Sequence, residues 1–318
     1  MAHGTLRDAV QLLNSGQVDE GVQVLRQTAS QGDPEALFLL ADMTWSGTDV
    51  PQDPARGRLL FEYAAALGHT RSNLVATNLM ASGIAGKRNW PAAIERLAAE
   101  ARQLPERRST LELLRAMSLD DKGDPSASYD PKMLNERPWA CLFERLMTPA
   151  ECAYLIHAAE GLFRPSMVYD REGRETPDLI RTSDGAGFSW LLEDPAIHAL
   201  NRRIAKASGT AYDQGEPLQV LRYAPSQEYK PHFDFLEGVE NPRPWTALVY
   251  LNEDYEGGQT AFVETDLQVR GSSGDVLLFR NEGPGGRRDP LAKHAGMPVT
   301  SGIKYLATRW IRERRWIP

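Results

Sequence analysis

The chain has 318 residues, 42% of them hydrophobic and 25% charged, which is the balance of an ordinary globular protein with one large domain or two smaller ones. Its formal net charge of -7 argues against nucleic acid or an anionic membrane as a partner. The chain has no apolar run of membrane-spanning length, no signal-peptide core in residues 1–10 and only two cysteines, Cys141 and Cys152, so we expect a cytoplasmic protein with buried free thiols.

The predicted first domain, residues 1–118, contains an internal repeat. A shift of 36 residues aligns Gly32 with Gly68 and Gly47 with Gly83. Between the aligned glycines, apolar residues recur at helical spacing, and glycine suits the left-handed position that ends a helix. A period of this length predicts stacked pairs of helices.

Residues 36–43 and 63–68, together with Gly47 and Asp53, carry the pattern of this segment. On these residues it resembles the Sel1-like branch of the tetratricopeptide superfamily, over roughly residues 5–117. The resemblance implies a surface that binds a peptide or a partner protein. The alternative is a helical cap that only covers one side of the next domain.

Residues 119–138 are polar and contain proline and glycine, a composition typical of a linker. A hydrophobic run then opens a second predicted domain, residues 139–318. Near its start, Thr148 is a predicted N-cap, Pro149 suits the first helical position, and Glu151 places an acid in the first turn. We therefore predict that a helix begins here.

The rest of the second domain has the pattern of short strands separated by glycine-rich turns. The predicted strands cover residues 218–223, 245–251, 259–263, 275–279 and 303–311. Many short strands at this spacing indicate a sandwich or barrel, and a double-sheet jelly roll (a double-stranded β-helix) fits the count. The predicted fold class is α+β, with a helical repeat domain followed by this jelly roll.

Two histidines and one aspartate form the leading candidate for a metal site. His232 and Asp234 lie two apart, so a strand would place both side chains on one face. His294 is the best candidate for a third ligand, because it precedes a predicted strand and lies ten residues before Lys304. Two imidazoles and one carboxylate form the facial triad that holds non-haem Fe(II) and leaves coordination positions open. The remaining histidines are assigned to ordinary core or surface roles: His3, His69, His157 and His198.

Lys304 is the predicted partner of an anionic cosubstrate. A facial triad leaves room for a 2-oxo acid and for O2, and the far carboxylate of 2-oxoglutarate then needs a fixed cation, a role that lysine suits. Strand alternation puts Lys304 on the same face as Leu306, Thr308 and Trp310, which reads as the interior face. The alternative is a lysine that points to solvent.

The second domain resembles the prolyl 4-hydroxylase branch of the Fe(II)/2-oxoglutarate dioxygenases. The matching blocks lie within residues 149–152, 181–183, 221–234, 250–262, 274–279 and 294–310. The resemblance implies oxidative decarboxylation of 2-oxoglutarate with O2 at Fe(II), with ascorbate as reductant. Succinate and CO2 are the expected coproducts, and an unactivated C–H bond of the substrate is hydroxylated.

The resemblance also implies roles for individual residues. Tyr223 corresponds to a tyrosine that hydrogen-bonds the cosubstrate, and Thr246 and Tyr250 correspond to residues that line its pocket. Trp310 resembles a tryptophan near the substrate pocket, and Arg181 lies in a matching segment and is a weaker candidate there.

Three further features leave the substrate open. Residues 164–187 and residues 281–293 are candidate substrate loops. Arg287 and Arg288 in the second could attract a carboxylate or phosphate of the substrate, but we expect them to belong to a solvated surface loop. Tyr229 could serve the site, but we expect it to pack in the core. The leading hypothesis is hydroxylation of a prolyl or related residue in a peptide or protein. The alternatives are a hydroxylase of a free amino acid or a carrier-bound small molecule, and a helical adaptor that senses oxygen or 2-oxoglutarate.

Overall fold

The structure is a computed structural model that describes residues 5–169, 175–177 and 180–317. It divides into two units. One contains Met1–Arg115 and Trp190–His198, and the other contains Ala116–Ser189 and Ala199–Ile317. No helix among the described residues has both the length and the hydropathy that crossing a membrane requires.

The N-terminal region is helical throughout. Its helices are α1 (Leu6–Asn14), α2 (Val18–Ser30), α3 (Pro34–Ser46), α4 (Pro54–Ala66), α5 (Thr70–Ser82), α6 (Trp90–Glu100) and α7 (Pro105–Ala116). Each of α3, α4 and α6 has a side-chain N-cap followed by proline in the first turn. The cores of the first helices meet in one cluster of small and branched residues: Ala9, Leu25, Ala29, Ala36, Leu37, Leu40 and Ala64.

Two glycines that lie 36 residues apart end helices at equivalent positions of the repeat. Gly47 and Gly83 end α3 and α5 in the left-handed conformation, with φ of 79° and 76°. A Cβ at Gly47 would lie 2.9 Å from the Gln52 Cβ, and one at Gly83 would lie 2.7 Å from the Arg88 Cβ. Both turns therefore require glycine, which confirms the helix-ending role predicted from the aligned positions.

The second unit is built on antiparallel strands with helix α8 (Pro149–Ala159) and the greater part of α9 (Pro195–Ser208), whose residues up to His198 belong to the first unit. Its strands are β1 (Lys132–Glu136), β2 (Trp139–Phe143), β3 (Arg164–Pro165), β4 (Met167–Tyr169), β5 (Glu175–Pro177), β6 (Asp184–Gly187), β7 (Gln219–Tyr223), β8 (Tyr229–His232), β9 (Trp245–Tyr250), β10 (Tyr255–Gly257), β11 (Thr260–Phe262), β12 (Gln268–Val269), β13 (Val276–Arg280), β14 (His294–Gly296), β15 (Val299–Gly302) and β16 (Lys304–Ile311).

Two sheets define the architecture. The larger has the order β1-β2-β13-β9-β16-β7-β6-β3, and the smaller has the order β12-β11-β14-β8. Apolar residues of both sheets share one core cluster: Ala140, Leu248, Tyr250, Phe262, Val269, Leu277, Phe279 and Leu306. The pairs β10-β15 and β4-β5 stand outside these sheets. This is the packed double sheet that the jelly-roll prediction requires.

The predicted elements of this unit are largely present. The five predicted strands correspond to β7, β9, β11, β13 and β16, and α8 begins at Pro149 with a capping box between Thr148 and Glu151. Strand β1 lies within the stretch whose composition predicted a linker. Both cysteines are free and buried, and burial raises the pKa of the Cys152 thiol to about 11.

Candidate active site

The three predicted metal ligands lie together in the second unit. Strand β8 ends at His232, β14 begins at His294, and the antiparallel register places these two residues opposite each other. Their ring centroids are 4.3 Å apart. With Asp234, they form a group in which one ligand atom from each residue lies within 4.8 Å of the others. Residues 62 positions apart in the chain thus meet because neighbouring strands carry them.

Both imidazoles are oriented by the backbone. The Nδ1 atom of His232 lies 2.8 Å from the carbonyl oxygen of Lys230, and that of His294 lies 3.0 Å from the carbonyl oxygen of Ala292. An Nδ1–H that donates to a carbonyl leaves the Nε2 lone pair free. The two Nε2 atoms face the Asp234 carboxylate at 3.7 and 3.5 Å.

The Asp234 carboxylate is buried and fixed by a hydrogen bond from a neighbouring hydroxyl. The Thr246 hydroxyl donates to its Oδ2 atom at 2.7 Å, and the Asn281 amide donates to the Thr246 oxygen at 2.8 Å. Burial opposes ionisation of Asp234, but the nearby charges of His294 and His232 and the hydrogen bond from Thr246 outweigh it and lower its pKa. Sequence reasoning could not find Asn281, because nothing in its local pattern points to the site.

The protonation state of this cluster suits a divalent cation. Burial, and next the neighbouring charge of His294, lower the pKa of His232 to about 4. At neutral pH His232 therefore offers a neutral nitrogen beside the ionised carboxylate of Asp234. Two imidazoles and one carboxylate, with both rings already aimed at one point, fit Fe(II).

A cavity opens beside the three ligands. Its lining consists of Arg181, Leu221, Tyr223, Tyr229, His232, Asp234, Leu248, Thr260, His294, Gly296, Lys304, Leu306, Thr308 and Trp310. Strand β16 contributes the alternate residues from Lys304 to Trp310, which confirms that this is its interior face.

Lys304 is buried at one end of this lining. Its ammonium group donates to the carbonyl oxygen of Gly258 at 2.7 Å and lies 5.5 Å from the centre of the Tyr223 ring. No carboxylate lies within ion-pair distance of it among the residues that the structure describes. Burial lowers the pKa of Lys304 to about 7. A buried cation without a fixed counterion is suited to binding an anionic ligand.

The other predicted cosubstrate residues have different positions. Tyr223 lines the cavity, whereas Thr246 and Tyr250 are not part of its lining. Thr246 instead contacts Asp234, and the buried Tyr250 hydroxyl lies 3.1 Å from the Thr260 Oγ1 atom. Their spacing in β9 correctly predicts that both side chains lie on one face of the strand. On that face, however, Thr246 contacts a metal ligand and Tyr250 packs in the core.

The two predicted substrate residues, Trp310 and Arg181, both line the cavity. Tyr229, which we expected to pack in the core, packs at the edge of a core cluster and also lines the cavity. Its ring stacks on His232 with the centroids 3.4 Å apart, and the Arg181 guanidinium lies 5.4 Å above its centre. Arg243, which the sequence did not reveal, lies 4.0 Å above the Trp310 ring.

Of the two candidate substrate loops, residues 164–187 and residues 281–293, the structure describes the first in part and the second throughout. Within the first, residues 170–174 and 178–179 lie outside the described residues. In the second, the Arg288 guanidinium lies 4.1 Å above the Phe233 ring and 3.4 Å from the Glu237 carboxylate. Arg288 is therefore engaged with the segment around the metal ligands.

The site agrees with the chain's relatives. The family model of the 2OG-Fe(II) oxygenase superfamily matches residues 218–312. Prolyl 4-hydroxylase 1 of Arabidopsis thaliana is 33% identical over 204 residues, which are 58% of this chain and 72% of the relative.

Two solved structures are also similar. A viral collagen prolyl hydroxylase from Paramecium Bursaria Chlorella virus-1, in a 2OG complex, has 27% identity and a TM-score of 0.43, covering 54% of this chain and 95% of its own. A Sel1 repeat protein from Oxalobacter formigenes has 21% identity and a TM-score of 0.27, covering 30% and 39%. With the metal ligands assembled and a relative matched over most of its length, the chain belongs to the prolyl 4-hydroxylase-like 2OG-Fe(II) oxygenases and is a 2-oxoglutarate-dependent dioxygenase.

Proposed function

We propose that this dioxygenase hydroxylates a prolyl or related residue of a peptide or protein. One observation carries the proposal: the lining follows β16 from Lys304 to Trp310. The cavity itself encloses only about 30 Å3, but the six strand positions along its wall span about 20 Å, which is longer than 2-oxoglutarate. If the cosubstrate reaches from Lys304 to the metal ligands, the Trp310 end remains for a second reactant.

Fe(II) bound by His232, Asp234 and His294, together with 2-oxoglutarate and O2, supplies the oxidising power for attack on an unactivated C–H bond. The protein's residues position the reactants. Thr246 and Asn281 keep the Asp234 carboxylate turned towards the two imidazoles. The backbone carbonyls behind the histidines hold a proton on each Nδ1, so that both Nε2 atoms stay available.

Lys304 is the proposed anchor for the far carboxylate of 2-oxoglutarate, with Tyr223 beside it. The ammonium is buried and donates to a backbone carbonyl, so an arriving carboxylate meets a cation that is already desolvated. The negative charge of the ligand favours the protonated amine, and binding therefore keeps the proton on Nζ.

The proposed substrate end is aromatic and cationic. Trp310 offers a flat face that suits the apolar ring of a prolyl residue, and Tyr229, whose ring stacks on His232, adds a second aromatic side chain to the lining. Arg243 and Arg181 lie above these rings and hold them in place by cation–π contact. An aromatic wall backed by arginines fits a peptide better than a small polar metabolite.

The helical unit is a proposed recognition surface for that peptide or for a partner protein. It contains a cavity of about 400 Å3 lined by Ala65, Gly68, Thr70, Asn73, Leu74, Arg96, Ala99, Glu100, Gln103 and Leu104. Glu100 accepts from Thr77 at 2.5 Å and from Asn73 at 3.0 Å, while Arg96 donates to the Asn73 amide oxygen at 2.6 Å. Arg96 and Glu100 thus give this cavity a polar wall.

An Arg96→Gln variant tests this surface by the affinity of the intact protein for fluorescent substrate peptides. We expect weaker binding with unchanged turnover of short peptides. The matched control is Arg115→Gln, an exposed arginine of the same unit. Equal affinity in both variants would assign the helices to a covering role. The predicted boundaries remain proposals: a helical domain in residues 1–118, a linker in residues 119–138 and an oxygenase domain in residues 139–318.

The decisive experiment is succinate release with Fe(II) and ascorbate against a panel of proline-containing peptides and free amino acids. We expect succinate and a one-oxygen mass gain with peptides. Hydroxylation of free amino acids alone would favour the small-molecule alternative. Binding of 2-oxoglutarate without turnover on any substrate would favour the sensor alternative, against which the intact metal ligands and the buried Lys304 argue.

A further inference from the structure

The loop between the metal-ligand strand and β9, residues 235–244, carries an arginine that supports the cavity wall. The Nε and Nη2 atoms of Arg243 donate to the two oxygens of the buried Glu216 carboxylate, at 2.5 and 2.7 Å. The guanidinium carbon lies 4.0 Å above the Trp310 ring, and Trp310 lines the cavity. The position of this loop therefore determines the position of Arg243 behind the aromatic wall.

An asparagine in this loop binds the chain segment that follows β16, residues 312–316. The Asn241 side chain accepts at Oδ1 from the Arg314 backbone N–H at 2.9 Å. Its amide nitrogen donates to the carbonyl oxygens of Arg314 and Arg315 at 3.3 and 3.2 Å. One side chain thus satisfies three backbone groups of a segment more than 70 positions away.

Backbone contacts strengthen the same connection. The Glu313 N–H donates to the Pro242 carbonyl oxygen at 3.1 Å, and the Arg312 side chain donates to the Asn241 carbonyl oxygen at 2.6 Å. The loop and the segment are therefore also joined through the backbone of Asn241 and Pro242.

The segment is itself anchored on its other side. The Arg312 N–H donates to the Gln214 carbonyl oxygen at 2.8 Å, and the Gln214 amide donates to the Glu313 carbonyl oxygen at 2.8 Å. The Trp316 N–H donates to the Asp213 carbonyl oxygen at 2.7 Å. Because the segment is fixed to Asp213 and Gln214, it can serve as an anchor for the loop.

We infer that Asn241 is a positioning residue: it ties residues 235–244 to residues 312–316 and thereby holds Arg243 against Trp310. This inference rests on the proposed function, because it assigns the Trp310 end of the cavity to the substrate. Asn241 acts through Arg243 and touches neither the metal ligands nor Lys304 in any described contact. Its loss should therefore change substrate use without changing cosubstrate use.

Asn241→Ala in the full chain tests this prediction. We expect the KM for a hydroxylated peptide to rise about fivefold, since a partly exposed hydrogen-bond network is lost. The KM for 2-oxoglutarate should stay constant, and more succinate should form per hydroxylated product. The matched control is Asn135→Ala in strand β1, which removes one hydrogen bond from a side-chain amide to the Pro138 carbonyl oxygen. An unchanged peptide KM and unchanged coupling in Asn241→Ala would overturn the inference.

A second variant tests the inference if Asn241→Ala misfolds, and a second measurement tests it if no peptide substrate is found. Arg314→Gln removes an exposed side chain that donates to the Glu240 carbonyl oxygen at 2.6 Å, and it should shift the peptide KM in the same direction by a smaller factor. Hydrogen exchange of residues 235–244 needs no substrate. It should accelerate in Asn241→Ala and not in Asn135→Ala, and unchanged exchange would refute the anchor even if no peptide proves to be hydroxylated.

Discussion

Two parts of the active-site cavity are held in different ways: the metal ligands, called the metal end, and the region of Trp310, called the substrate end. At the metal end, His232 and His294 are each aligned by the backbone carbonyl two residues earlier in the chain, and Asp234 is fixed by Thr246. At the substrate end, Arg243 lies above the Trp310 ring, and this arginine is carried by a loop and held by the Glu216 carboxylate. The difference suggests that the strands fix the common chemistry while loops and tails set the substrate.

The strongest test of the metal end is Asp234→Ala. It removes the carboxylate between the two imidazoles, and we expect turnover to fall at least about a thousandfold with loss of Fe(II) binding. Metal titration followed by calorimetry measures this without turnover. Retained stoichiometric metal in the variant would refute the assigned ligand set. Asp184→Ala, which removes an Arg222 partner on strand β6, controls for general loss of an acidic side chain.

Lys304→Ala should have the next largest effect. The requirement for 2-oxoglutarate should rise about a hundredfold, because a buried cation that pairs with a carboxylate contributes on the order of 3 kcal/mol. Metal affinity should be unchanged, since the ammonium contacts Gly258 and not the ligands. Steady-state kinetics with varied 2-oxoglutarate measures the effect. Lys293→Ala, a partly exposed lysine next to His294 in the chain, should leave the requirement as it is.

These two assignments show what the sequence could predict. The inward face of β16 follows from strand alternation, which is a local rule. The same rule paired His232 with Asp234, although β8 ends at His232 and Asp234 lies beyond it. His294 follows from its place before a predicted strand, its spacing to Lys304 and the need of a facial triad for a third ligand. The partners Lys230 and Ala292 could not be predicted, because every residue has a carbonyl and only the fold decides which one an imidazole meets.

The role of Thr246 shows the limit of the same reasoning. Alternation placed it on the correct face of β9, but its contact with Asp234 depends on the course of the intervening loop. Asn241 and Arg243 lie in that loop and meet residues far along the chain. Their contacts arise from tertiary packing, for which the sequence has no periodic signal.

Thr246→Val separates orientation of a ligand from ligation itself. The variant keeps the shape of the side chain but leaves one oxygen of Asp234 without its buried donor, and we expect metal affinity to fall about thirtyfold. Competition with a fluorescent chelator measures it. Thr260→Val is the matched control, because that hydroxyl contacts Tyr250 and not a metal ligand. Equal affinities in the two variants would contradict the orienting role.

Trp310→Phe probes the substrate end. A smaller ring presents less surface to the substrate and stacks less well beneath Arg243, so we expect the peptide KM to rise about tenfold. The KM for 2-oxoglutarate should not change. If the KM for the peptide and the KM for 2-oxoglutarate rise together, the Trp310 end and the Lys304 end of the cavity do not act separately. The distinction between a substrate end and a cosubstrate end would then be wrong. Trp245→Phe, whose ring packs against Trp139 instead, is the control.

The smallest predicted effect concerns pH, and it tests whether Lys304 alone sets cosubstrate affinity. Burial lowers its pKa in the free protein to about 7, below the ordinary 10.5, so the ammonium loses its proton as pH rises through 7. Bound 2-oxoglutarate favours the charged form, and binding above pH 7 must therefore take up a proton.

The affinity for 2-oxoglutarate should consequently be highest below pH 7 and fall about fivefold between pH 7 and pH 8, as a group with this pKa loses its charge. The His232 pKa of about 4 lies outside this window and does not contribute. Calorimetry in buffers of different ionisation enthalpy measures both the affinity and the proton uptake. In Lys304→Arg, which stays charged throughout, the dependence should vanish. If the pH dependence persists in Lys304→Arg, another residue must titrate in this range. The cosubstrate end of the cavity would then need a second ionisable residue.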